Sequence, residues 1–132
     1  MKKFVSVFVL LVVFIGTLSM TANAYWSDSY KISYKANTST YTMDAGIPAV
    51  TKMTDEEHAE FQGAYITSWS RPSARLVNSN KEGRSAWVKL KEDNIYPTTE
   101  VTAKKNYYCY AEVKGAWNQV GTDTMRFRYN PS

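Results

Sequence analysis

The chain offers one histidine, His58, and one cysteine, Cys109, so chemistries that need several such groups within one copy are excluded at once. A structural zinc site requires about four Cys or His ligands and a disulfide framework requires pairs of Cys. Cys109 stands between Tyr108 and Tyr110, in step with Ala111 and Val113, and no cation occupies the alternate positions to lower its pKa. Its leading reading is a buried small hydrophobe. A bridge to a second copy and a reactive thiol are the alternatives, because an unpaired Cys in an exported chain needs a partner or a shelter. His58 lies in Asp55-Glu56-Glu57-His58-Ala59-Glu60. That run lacks the alternating oxygen ligands and Gly turn of a calcium loop, and a solvated charged face is the better reading. A serine nucleophile would have only His58 as its base, and no G-x-S-x-G elbow is present. Two carboxylates for glycoside hydrolysis need not be neighbours in sequence, but no pair stands out. The expectation is a protein that is not an enzyme and takes no cofactor and no metal.

Aromatic residues carry the strongest signal. The 4 Trp and 10 Tyr all lie beyond residue 24 and exceed what a small core needs. Tyr and Trp join a large apolar surface to a polar tip, which suits half-exposed interfaces and sugar-stacking faces. Strands also favour aromatics for packing, so each ring has a structural reading beside the functional one. The candidate binding surface is Trp87, Tyr108, Tyr110 and Trp117. The partners it implies are a cell-envelope component, a glycan or a protein, with a monomer or a Cys109-linked dimer as the binding unit. A carbohydrate-binding module and a secreted inhibitor are further readings of the same residues.

These residues are carried by a chain with an export signature. Lys2 and Lys3, the apolar run Phe4 to Ile15, and Ala22-Asn23-Ala24 form the three parts of a secretory leader over residues 1–24. Twelve apolar residues span about 18 Å, short of a bilayer core of about 30 Å, so a secreted protein with no stable membrane anchor is expected. Cleavage before Tyr25 removes two lysines and lowers the formal net charge from +4 to +2. Scattered bases at that charge give no phosphate-tracking stripe, and nucleic acid is not an expected partner.

Residues 25–132 read as a single all-β domain. Tyr30, Ile32 and Tyr34 alternate with Lys31, Ser33 and Lys35, the period of a strand with one wet face. Similar runs cover 47–53, 64–69, 73–77, 84–90, 100–103, 106–113 and 122–129, separated by turn formers that include Gly63, Asn78 to Gly83, Asp93-Asn94 and Gly121. Seven or eight short strands with turns every ten or so residues predict an antiparallel β-sandwich. Thr54 with Glu57 forms a capping box, which predicts one or two helical turns near residues 54–60. The last two strands are the clearest hairpin, and their pairing would bring Arg126 or Arg128 opposite Glu112. In 107–113, Tyr107, Cys109, Ala111 and Val113 form the better core face; in 84–90, Trp87 falls opposite Ala86 and Val88.

The stretch Ser73-Ala74-Arg75-Leu76-Val77-Asn78-Ser79-Asn80-Lys81-Glu82-Gly83-Arg84-Ser85-Ala86-Trp87-Val88-Lys89-Leu90, with the leader, resembles small secreted β-sandwich proteins of Gram-positive bacteria of the lactococcin 972-like bacteriocin type. The chain departs from that pattern in its length, in Cys109 and in the acidic segment after Thr54. The resemblance implies an antimicrobial protein acting on the envelope of competing bacteria and carries over no catalytic residues.

Overall fold

A computed structural model describes residues 26–66 and 71–132. The expected leader, the expected mature start at Tyr25, and Thr67 to Trp69 of one expected strand lie outside them. Nine strands follow in order: β1 Tyr30–Lys35, β2 Ser39–Tyr41, β3 Val50–Thr51, β4 Ala59–Ala64, β5 Ser73–Val77, β6 Val88–Lys89, β7 Ile95–Thr98, β8 Tyr108–Lys114 and β9 Thr122–Asn130. They form two antiparallel sheets, β1-β9-β4-β7 and β2-β8-β5-β6, with β3 also pairing β8. The all-β sandwich is the fold of this protein.

Alternation decides which side chains meet between the layers. Ile32 and Tyr34 of β1, Phe61 of β4, and Met125, Phe127 and Tyr129 of β9 face Leu76 of β5 and Cys109, Ala111 and Val113 of β8, all buried. Phe127 stacks on Phe61 and on Tyr129, with ring centroids 6.1 and 5.9 Å away. The Tyr129 hydroxyl donates 2.9 Å to the carbonyl of Cys109 and so ties the two sheets through the core. Burial holds the Tyr129 phenol well above its ordinary pKa.

Several expectations are corrected. No helix forms over residues 54–60: the Thr54 hydroxyl accepts from the Glu56 N–H at 3.2 Å, but the chain bends and Ala59 and Glu60 enter β4. One capped turn does not repay helix nucleation, and the ladder with β7 and β9 takes those residues instead. The expected hairpin is absent too. β8 and β9 belong to different sheets and meet face to face through their apolar sides, so Glu112 pairs with Arg75 of β5. Gly63 is not a turn. It lies inside β4, where a Cβ would come 2.9 Å from Met125 Sδ. Val101 and Ala103 are buried without forming a strand; their alternation reports the core, while a ladder also needs a partner edge. Tyr107, expected with the core face, is 55% exposed just before β8 begins.

Candidate functional site

The outer face of the β2-β8-β5-β6 sheet holds three of the four nominated aromatics. β8 runs between β2 and β5, and its outward residues are Tyr108, Tyr110, Glu112 and Lys114. Glu112 lies opposite Tyr41 on one side and Arg75 on the other. Trp87, just ahead of β6, continues past Arg75. Tyr108 is 70% exposed, Trp87 37%, and Tyr110 is half-buried. Trp117 is 78% exposed but leaves this face, because the chain departs from the sheet after Lys114 and carries it in the connection to β9.

Trp87 is braced by two cations. The Arg75 guanidinium lies 4.6 Å and the Lys114 ammonium 4.7 Å from its ring centroid. Cation–π contacts at such sites contribute about 0.5–1 kcal/mol each. Arg75 is itself fixed: its Nε donates 2.6 Å to Glu112 Oε2, and the Ser39 hydroxyl donates 2.5 Å to Glu112 Oε1. Gly83 leaves room for the guanidinium, since a Cβ there would sit 2.5 Å from Arg75 Nη1. Glu112 is almost fully buried, so its two partners replace the water it has lost. Among the described residues Lys114 Nζ has no carboxylate within ion-pair distance. A second bridge crosses β8, where Lys81 of the turn after β5 meets Asp44 at 2.9 Å and lies 4.9 Å over the Tyr41 ring. The turn is held by Asn78 Oδ1, which accepts from the N–H groups of Asn80 and Glu82.

Cys109 points the other way, into the core, at 1% exposure, and burial raises its pKa to about 11. A thiol so placed is neither ionised at neutral pH nor within reach of another copy unless β8 opens. Lys52 is its electrostatic neighbour and was not legible as a buried residue, because Lys is almost never buried without partners. Its ammonium donates to the carbonyls of Pro131 at 2.8 Å and Ser132 at 3.0 Å, and burial lowers its pKa.

His58 stands just ahead of β4, on no helical face. Its Nδ1 is 3.3 Å from Glu56 Oε2 and its Nε2 is 3.4 Å from the Ser132 hydroxyl. The three residue types match a catalytic triad, but the arrangement does not. The same Glu56 oxygen is also 3.4 Å from the Ser132 hydroxyl, whereas partners aligned on the two diverging ring nitrogens would stand on opposite edges of the imidazole. The three groups form a compact polar triangle at the surface. Among the described residues no group of three His, Cys, Asp or Glu is placed to hold a metal ion.

A groove of about 390 Å3 opens between the edge of β1 and that of β3, lined by Trp26 to Asp28, Tyr30, Pro48 to Thr51 and Met53. Asp28 is its one carboxylate. No protein-family model matches the chain, and comparison with curated proteins finds no match.

Proposed function

We propose that this is a secreted, non-enzymatic recognition protein that binds a component of the bacterial envelope, a glycan being the ligand its surface fits best. The observation that carries this reading is the bracing of Trp87. An exposed indole is ordinarily free to change rotamer, and ordering it on binding costs free energy; here the chain Ser39, Glu112, Arg75 and Lys114 has ordered it beforehand. Trp87 keeps 37% of its surface exposed for stacking on a sugar, and the Lys114 ammonium, with no carboxylate partner among the described residues, stands beside it for an acidic substituent.

A bacteriocin-like action on the envelope of competing bacteria is the second reading. The stretch that resembles that family supplies β5, the 78–83 turn and the lead into β6, the same elements that hold Arg75 and Trp87. Co-sedimentation of the protein with purified cell-wall sacculi tests the shared claim. Wild type is expected in the pellet, and Trp87→Ala is expected to weaken binding at least tenfold, on the order of 1.4 kcal/mol. Equal pelleting of the two proteins would remove this face from the account. Clearing of bacterial lawns by the wild type alone would select the antimicrobial reading.

A further inference from the structure

The opposite face of the molecule has a different chemistry. On the β1-β9-β4 sheet the outward residues are Lys31, Ser33 and Lys35 of β1, Thr122, Thr124, Arg126 and Arg128 of β9, and Glu60, Gln62 and Ala64 of β4. Lys31 stands directly across the ladder from Arg126. Like charges so placed work against folding. Ion pairs on the first face absorb Arg75 and Lys81, whereas Lys31, Lys35, Arg126 and Arg128 have no carboxylate within 4.0 Å among the described residues. The bonds they do make are to neutral groups: Arg126 Nη1 donates 3.4 Å to the Ser29 carbonyl and Arg128 Nε donates 2.7 Å to Gln62 Oε1. Glu60 sits toward the far end of the sheet, opposite Asn130.

Two aromatics frame this stripe. Arg128 lies 4.4 Å over the ring of Trp26. Tyr65, directly after β4, is 71% exposed and held at φ +56°, a left-handed conformation that a bulky aromatic adopts only under constraint. Lys31, Tyr65, Thr124, Met125 and Arg126 enclose a depression of about 290 Å3. Two cations and a phenol around a hollow are suited to an oxyanion.

We propose that this face is a docking surface for a linear phosphate-bearing polyanion, with one phosphate seated between Lys31, Arg126 and Tyr65 and the next carried on to Arg128. The spacing favours a chain: outward residues two apart on β9 stand roughly 6.7 Å from one another, so Arg126 and Arg128 meet successive anionic groups along one line. A bilayer fits less well, because the large exposed apolar residues of this sheet are few and separated: Tyr65 beside the cations, and Ile95 of β7, which pairs with Gln62. The inference is independent of the Trp87 surface, which lies on the other sheet.

The test uses inorganic polyphosphate as probe, followed by calorimetry at several salt concentrations. Wild type is expected to bind with an affinity that falls as salt rises. Lys31→Gln with Arg126→Gln, which removes charge from exposed positions, is expected to weaken binding at least tenfold and to lower the slope of log affinity against log salt by about 2. Trp87→Ala is expected to bind polyphosphate as wild type does, which separates failure here from failure of the envelope-recognition reading. The proposal is overturned if wild type does not bind, if the double variant with an unchanged circular dichroism spectrum binds equally, or if anionic phosphatidylglycerol vesicles are bound while polyphosphate is not. Binding of a single-stranded oligonucleotide in preference to polyphosphate would also overturn it, since stacking on bases would then be the recognition.

Discussion

Cys109 shows how one residue can be placed correctly by its neighbours while its consequences wait for the fold. Alternation with Ala111 and Val113 put it on a core face, and the structure buries it at 1% exposure. Its raised pKa has a defined effect on stability. The unfolded thiol ionises near pH 9 and the folded one near 11, so between those values the folded state holds the extra proton and stability falls as pH rises. Tyr129, raised for the same reason, adds to the loss above pH 10; Lys52, whose pKa is lowered, acts with the opposite sign over its own window. The expected outcome is that Cys109→Ala unfolds in urea with a smaller decline between pH 8 and 11 than wild type, the difference being roughly 2–3 kcal/mol. Parallel curves for the two proteins would show that the thiol does not titrate with folding. The same burial predicts a monomer on non-reducing gels. At this scale Trp87, Tyr108 and Tyr110 were legible as outward residues from period two alone, whereas Lys52 was not, because nothing local announces that Pro131 and Ser132 return to receive its ammonium.

At the scale of elements, β1, β5 and β9 were legible because each alternates over five or more residues with one wet face. β2 was missed, since Ser39-Thr40-Tyr41 has no apolar pattern and exists only as an edge on β8. β4 was displaced because Gly63 signals a turn in sequence, while in space it makes room for Met125. Pairing was the least legible property. An inward face looks the same whether its partner lies beside it or across the core, and so β8 and β9 read as a hairpin while they face each other between layers. The partner of Glu112 followed from that error. The Arg75–Glu112 pair now carries its own prediction. Glu112→Gln, which leaves the guanidinium without its carboxylate, is expected to destabilise the fold by about 2 kcal/mol in urea denaturation. A double-mutant cycle with Arg75→Gln should show coupling on the order of 1 kcal/mol, and strictly additive effects would mean that the pair braces nothing.

The whole molecule is two-faced. One sheet presents aromatics whose neighbouring charges are mostly neutralised in place, by Arg75 with Glu112 and Lys81 with Asp44. The other presents cations that have no carboxylate within ion-pair distance among the described residues. The core of Phe61, Phe127 and Tyr129 holds the two faces apart at the usual distance of about 10 Å between packed sheets, so each faces its own side of the solvent. A small sandwich built this way is suited to contact, with stacking on one side and charge on the other. In the proposed function Trp87 is the point of recognition. Its most direct test is a protein in which Trp26, Trp69 and Trp117 are replaced by Phe, so that emission reports Trp87 alone, titrated with soluble fragments of cell-wall glycan. A saturable quench and blue shift of that emission is the expected result; binding that leaves the emission of Trp87 unchanged contradicts the account.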